Sequence, residues 1–188
     1  MRLSVVRAAV VLVGVAFAGG AGCGAGNPSA VPVNGALVPV EQRVAIDAVA
    51  GEDLVEPGKA LSSNDFAGEV VVLNVWGTWC GPCRGEVGKL ERVRADTEGA
   101  GVEFLGVDIR DNDRSVPVDF VRDRGVGYPS IYDPAGRSLV GLGKYRSIAV
   151  PTTLVLDRRH RVAAVFHGAV LAEDVLPRVR EVVAEAVG

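Results

Sequence analysis

Two thiols three positions apart, Cys80 and Cys83, are the residues of this chain best placed to do chemistry. They close the run Trp76-Gly77-Thr78-Trp79-Cys80-Gly81-Pro82-Cys83. A pair so spaced can cycle between dithiol and disulfide, ligate a metal, or form a permanent crosslink. Local context separates these. The preceding stretch, Val70-Val71-Val72-Leu73-Asn74-Val75, is short, apolar and rich in β-branched residues, so it is predicted as a buried strand. The following stretch, Arg84 to Arg94, lacks proline and carries Val87, Leu90 and Val93 at helical spacing. The pair therefore sits at a strand-to-helix junction with Cys80 at the helix N-terminus. Free N–H groups and partial positive charge there favour a thiolate over a thiol. A structural zinc site needs about four ligands. Cys23, His160 and His167 do not supply a second pair at matching spacing, so no metal is expected. A permanent crosslink across so short a loop would remove little chain entropy. The context favours a disulfide that is made and broken.

Other residues gather around this pair. Glu86 lies three residues beyond Cys83, on the same face of the predicted helix. A partly buried carboxylate there can take the proton that Cys83 must lose before attacking; the plainer alternative is an exposed helix glutamate. Gly81 and Pro82 keep the loop tight, and proline suits a first helical turn. Trp76 reads as core and Trp79 as rim. His160, in a turn, and His167, at a strand end, read as surface residues.

The elements that must position the pair follow from the pattern. Gly51 to Gly68 is turn-rich and reads as an edge hairpin. After the dithiol helix, Val102 to Val107 is a second buried strand. Pro117 to Arg124 is a helix with Ser115 as its expected N-cap. Tyr128 to Ile131 is extended, and Asp133-Pro134-Ala135-Gly136 is a turn. Thr152 to Leu156 and Val162 to Phe166 form an antiparallel hairpin, and Glu173 to Val187 is an amphipathic helix. The order, a βαβ unit followed by a helix, a hairpin and a last helix, predicts an α/β sandwich around a mixed sheet.

The N-terminus reads as a targeting segment. Arg2 and Arg7 supply positive charge, and Ala8 to Gly22 is uncharged but short for a membrane span of about 20 residues. Ala16-Phe17-Ala18 offers an ordinary cleavage site. Gly20-Ala21-Gly22-Cys23 resembles a bacterial lipoprotein box, with glycine where an aliphatic residue is usual. Lipidation would account for Cys23, otherwise an odd thiol in an oxidising compartment. Residues 1–22 are thus expected to be a leader of lipoprotein type, 23–39 a Gly/Pro/Ser/Asn-rich tether, and 40–188 the folded domain. The location implied is the outer face of the cell membrane, with secretion as the alternative. Without Arg2 and Arg7 the chain holds 18 basic against 23 acidic residues, a net charge of −5. No long basic run remains, which argues against nucleic acid as a partner. The mixed run Arg110-Asp111-Asn112-Asp113-Arg114 and the run Arg158-Arg159-His160-Arg161 read as solvated loops.

Four features carry a family resemblance. These are the strand and dithiol run Val71 to Cys83; Cys83-Arg84-Gly85-Glu86; Tyr145 through Val150-Pro151-Thr152-Thr153-Leu154-Val155-Leu156-Asp157; and the extra segment Ser115 to Gly125. From about Val40 onward the chain resembles the extracytoplasmic TlpA/ResA/DsbE-like thiol–disulfide oxidoreductases of the thioredoxin superfamily. Gly88 departs from the proline usual in that family, and Asn74 stands where cytoplasmic thioredoxins bury an aspartate. The resemblance implies a thioredoxin fold, a mixed central sheet flanked by helices, with a TlpA/ResA-type insertion. It implies that Cys80 is the solvent-facing nucleophile, Cys83 the more buried resolving thiol and Glu86 the proton acceptor. It implies a cis Val150–Pro151 bond against the dithiol, with Val150 pairing to an extended substrate and Trp79, Gly81 and Pro82 beside it. No cofactor beyond the Cys80–Cys83 disulfide is implied. The implied partners are protein disulfides, as in apocytochrome c or a copper-site protein, and a membrane thiol carrier that donates electrons. Three readings compete: a copper-binding envelope protein using the same thiolates, a general disulfide oxidant, and a peroxidase of the same fold. The peroxidase-type Thr-x-x-Cys is missing.

Overall fold

The computed structural model describes residues 32–147 and 149–185; the expected leader and Cys23 lie outside them. Seven strands form one sheet: β1 (Ala50–Asp53), β2 (Ala60–Ser62), β3 (Val70–Trp76), β4 (Val102–Asp108), β5 (Ser130–Tyr132), β6 (Thr152–Leu156) and β7 (Val162–His167). Their order is β2-β1-β5-β4-β3-β6-β7. β3 pairs parallel with β4, and β4 parallel with β5. The β1/β2, β1/β5, β3/β6 and β6/β7 pairs are antiparallel. The helices are α1 (Gly81–Asp96), α2 (Ser115–Asp123) and α3 (Ala172–Val183). Parallel neighbours require crossovers. α1 carries the chain from β3 to β4, and α2 carries it from β4 to β5.

β3 is the central strand, and all seven of its residues are buried. Burial on both faces accounts for its unbroken apolar run. On one face Val71, Leu73 and Val75 pack with Leu105, Val107, Ile131 and Leu154 beneath the helical turns of Ser138–Tyr145. On the other, Val70 and Val72 meet Phe104, Leu90 and Val93 of α1, and Val175, Val179 and Val182 of α3. Asn74 and Trp76 share that second face by the period of two. They sit where the cover changes from packed apolar residues to the dithiol.

The predicted elements are present, with instructive differences. The N-cap of α2 is Arg114, which supplies no side-chain cap, and not Ser115, which is the first helical residue; Asp113, one residue before the cap, accepts the Ser115 N–H at 3.0 Å. The 3-10 turns over Ser138–Tyr145, with Leu139, Leu142 and Tyr145 buried, were not predicted, because Gly141 and Gly143 interrupt the apolar period. The packed fold also begins ahead of Val40, inside the expected 23–39 tether. Gly35 and Val38 donate their N–H groups to the carbonyls of Val165 and Ala163, each at 2.8 Å, and so cover the free edge of β7. Such cover blunts an edge that would otherwise template pairing with another chain. His160 is buried rather than exposed, because its turn folds against the Phe66 carbonyl, 3.3 Å from Nε2.

Candidate active site

The dithiol occupies the first turn of α1. Cys80 is the N-cap, Gly81 and Pro82 are the first two helical residues, and Cys83 follows. The two sulfurs are joined in a disulfide. The Cys83 backbone N–H points at Cys80 Sγ, 3.1 Å away. One of the orphan donors of the helix N-terminus is thereby aimed at the sulfur, the arrangement that stabilises a thiolate once the bond is reduced.

Cys80 does not face solvent as the sequence implied. Its exposure is 5 % and that of Cys83 is 3 %. Both belong to an apolar cluster with Leu54, Trp76 and Val121, flanked by Val118, Phe120, Tyr132 and Val150. Leu54 comes from the edge hairpin and Val121 from α2, so the inserted crossover closes over the disulfide. The distinction between the two sulfurs therefore lies in the helix terminus rather than in exposure.

The approach to Cys80 is fixed from the loop after β4. Trp79 is 45 % exposed, and its indole N–H donates to the Ile109 carbonyl at 2.9 Å. Asp111 accepts both the backbone N–H of Thr78, at 2.7 Å, and the Thr78 hydroxyl. A Cβ on Gly77 would collide with the Trp79 indole nitrogen and sit 2.8 Å from the Ile109 carbonyl oxygen, so only glycine lets these strands of chain meet. The Val150–Pro151 peptide bond is cis, Pro151 is buried, and Val150 packs against the cluster that holds both cysteines. Trp79, Gly81, Pro82, Val150 and Pro151 thus gather around the dithiol.

Glu86 is 1 % exposed, one turn beyond Cys83. Its carboxylate accepts from Asn74 Nδ2 at 2.9 Å and from the Val170 backbone N–H at 3.1 Å. Asn74 also donates to Thr153 Oγ1 at 3.0 Å, on the neighbouring strand. Burial pushes the Glu86 carboxyl up to about 7, and the two donors hold it back only in part. A buried acid that titrates near neutrality can both take and return a proton there.

A second buried acid went unrecognised in the sequence. Asp108, the last residue of β4, is fully buried, and among the described residues no donor reaches either of its oxygens. Burial first, then a hydrogen bond that the protonated acid gives Asp111 and the charges of Asp111 and Asp133, push it up to about 9. It is the register partner of Trp76, whose indole nitrogen is also unpartnered, as is the Ser130 hydroxyl. An unpartnered carboxylate would be expensive in this setting, so Asp108 is held as the neutral acid. The available signal was an aspartate ending the apolar run Val102 to Val107. Asp111 was hidden because its charged neighbours read as a solvated loop. Among the described residues no cluster of three or more His, Cys, Asp and Glu is arranged to hold a metal.

Comparisons with known proteins agree with this geometry. Residues 45–165 match the AhpC/TSA family. The thiol-disulfide oxidoreductase ResA of Bacillus thuringiensis subsp. konkukian is 31 % identical over 105 residues, 56 % of this chain and 58 % of that protein. The thiol:disulfide interchange protein DsbE of Vibrio cholerae serotype O1 is 35 % identical over 107 residues, 56 % of this chain and 54 % of that protein. The match therefore spans less than two thirds of these curated relatives. Among solved structures, a secreted thiol-disulfide isomerase from Corynebacterium glutamicum superposes with a TM-score of 0.76 at 38 % identity, covering 79 % of this chain and 91 % of that one. A DsbF homologue from Corynebacterium diphtheriae gives 0.73 at 36 % identity, covering 77 % and 90 %. The chain belongs to the AhpC/TSA family, has a thioredoxin fold, and is similar to thiol–disulfide exchange proteins named ResA, DsbE and DsbF.

Proposed function

We propose that this protein reduces disulfides in other proteins outside the cytoplasmic membrane, with Cys80 attacking and Cys83 resolving. The observation that carries the reading is the sulfur of Cys80 at the N-cap of α1, bonded to Cys83, with a buried carboxyl one turn beyond. In the reduced protein the Cys80 thiolate attacks one sulfur of the substrate disulfide. A mixed disulfide forms, the substrate S–S bond breaks, and the departing substrate thiolate takes a proton. Cys83 then loses its proton to Glu86 and attacks Cys80 Sγ. The Cys80–Cys83 bond forms, the mixed disulfide breaks, and the second substrate thiolate is released and protonated. Two electrons have passed from the protein dithiol to the substrate. The exposed Trp79 and the Val150 backbone offer an apolar rim and an extended edge for the substrate polypeptide.

Location and partners rest on the leader-like sequence, the lipoprotein-like box at Cys23 and the secreted relative from Corynebacterium glutamicum. No described helix is long and apolar enough to cross a membrane. Anchoring through Cys23, re-reduction by a membrane thiol carrier, and substrates such as apocytochrome c or a copper-site protein complete the reading that the sequence resemblance supports. Equilibration of the pair with graded dithiothreitol redox buffers tests the direction. A reductant is expected to lie near the thioredoxin range, about −270 mV. A value near the oxidant DsbA, about −120 mV, would assign the opposite direction of electron flow.

A further inference from the structure

We propose that Arg84 and Arg110 form a cationic clamp beside the dithiol, and that this clamp selects polypeptide disulfides flanked by carboxylates. The proposal deepens the oxidoreductase reading and rests on it. Arg84 follows Cys83 directly, and its Nη1 reaches back to donate to the Thr78 carbonyl at 2.7 Å. Its Nη2 comes within 3.8 Å of the position a Cβ on Gly81 would take. The guanidinium therefore lies along the loop that carries Cys80. The Arg110 guanidinium carbon stands 5.3 Å from the centre of the Trp79 ring. Two cations thus contact the segment from Thr78 to Gly81, and both residues are exposed.

Neither guanidinium forms an ion pair among the described residues, as is also true of Arg124, Arg137, Arg146, Arg158 and Arg180; Arg84 and Arg110 are set apart by their contacts with Thr78 and Trp79 beside Cys80. The carboxylates closest in sequence face other donors, Glu86 those of Asn74 and Val170, Asp111 those of Thr78, and Asp113 those of Ser115, and none forms an ion pair with either guanidinium. The two exposed cations at the dithiol thus make no direct ion pair among the described residues, and the anion nearest in the loop, Asp111, is turned to the Thr78 donors.

The backbone adds a separate observation. Arg110 has φ +63°, a left-handed conformation that a residue with a Cβ adopts at some cost, and its N–H is tied to the Pro134 carbonyl at 3.1 Å. Strain of this kind persists where the surroundings over-determine it, and it clusters at functional sites. Here it accompanies a side chain laid over the exposed tryptophan next to Cys80. A substrate that runs along Val150 and offers a sulfur to Cys80 would bring its flanking residues over Trp79 and Gly81. Guanidinium forks match carboxylates there in both charge and geometry.

The test uses the reduced full-length protein and three cystine-bridged peptides that differ only in the two residues beside the accepting sulfur: Asp, Ser or Lys. Two exposed charge pairs predict an Asp-over-Lys preference of about two- to tenfold in kcat/KM at low ionic strength, shrinking towards unity at about 0.5 M salt. The ratio should collapse in R84Q/R110Q and reverse in R84E/R110E. A substitution that only loosens the loop slows all three peptides alike and leaves the ratio unchanged. Equal kcat/KM for the three peptides at low salt, or a preference that survives R84Q/R110Q, would overturn the proposal. Reduction of none of them by the wild-type protein contradicts the oxidoreductase activity itself and this selectivity with it.

Discussion

Glu86 is opposed by its surroundings whenever it ionises, and that opposition is measurable. Its folded-state value of about 7 lies above the ordinary 4.5, because burial outweighs the donors on Asn74 and Val170. The folded state then keeps a proton that the unfolded chain releases between those two values. Stability is highest below the unfolded value and falls as pH rises towards 7. A shift of this size corresponds to roughly 3 kcal/mol. In the oxidised protein, Glu86→Gln is therefore expected to remove about 3 kcal/mol of pH dependence between pH 5 and 8. Urea unfolding of both proteins at several pH values would measure it; parallel curves would show that Glu86 titrates normally. The same substitution should slow resolution of the mixed disulfide by up to ~10²-fold at and just above about pH 7, where Glu86 is ionised and can accept the Cys83 proton, and have little effect at mildly acidic pH, where its carboxyl is already protonated. Single-turnover kinetics from about pH 5 to 9 across the thiol range reads that effect separately from stability.

At the scale of elements, the loop after β4 shapes the reactive segment. Asp111 satisfies two donors of Thr78, and Ile109 holds Trp79. Asp111→Ala leaves both Thr78 donors without their acceptor. Hydrogen bonds to charged groups contribute about 1.5–3 kcal/mol each. The variant should lose about 2–3 kcal/mol in thermal or urea unfolding and slow exchange with Cys80; unchanged values in both would leave Asp111 an ordinary loop residue. The sequence made β3 and α1 legible because an unbroken apolar run and a helical period meet at the dithiol, and neither depends on distant contacts. Glu86 was legible through its spacing. Asp108 and Asp111 were not, because their burial is set by Trp76 and Thr78 on other segments. Nor was the near-equal burial of Cys80 and Cys83, which depends on Leu54 and Val121 closing over the pair from opposite sides of the sequence. The helical turns of Ser138–Tyr145 escaped notice for a local reason: two glycines within eight residues break the pattern.

At the scale of the whole molecule, a clasp joins both ends of the described chain. Arg43 has a side chain only 1 % exposed and meets Asp157 at 3.3 Å and Glu185 at 2.6 Å, while Arg161 also holds Asp157 at 2.8 Å. Burial alone would raise the Asp157 carboxyl, but N–H donors of Arg159 and Arg161 and the guanidinia of Arg161 and Arg43 outweigh it and hold it below its ordinary 3.8. That contribution is present above the unfolded value and is lost as pH falls through the folded one. Glu86 and Asp108 act in the opposite sense, losing stability as pH rises through about 7 and about 9. The oxidised protein should therefore be most stable at mildly acidic pH, about 4–5, with Tm declining towards pH 9. A Tm that stays level from pH 5 to 9 would contradict this assignment of the buried acids. Arg43→Met should lower stability by about 2–3 kcal/mol, somewhat under the ~3–5 kcal/mol for a wholly buried pair because Arg161 still holds Asp157.

The central claim is that Cys80 exchanges disulfides from the N-terminus of α1, and covalent trapping tests it most directly. Reduced Cys83→Ser protein, mixed with a cystine-bridged peptide and mapped by mass spectrometry, should carry one peptide per chain on Cys80, stable until a thiol is added. Cys80→Ser under the same conditions should accumulate little adduct, because Cys83 lacks the N-cap position. A Cys80 thiol that stays unmodified in Cys83→Ser while Cys83 captures the peptide in Cys80→Ser would contradict the account.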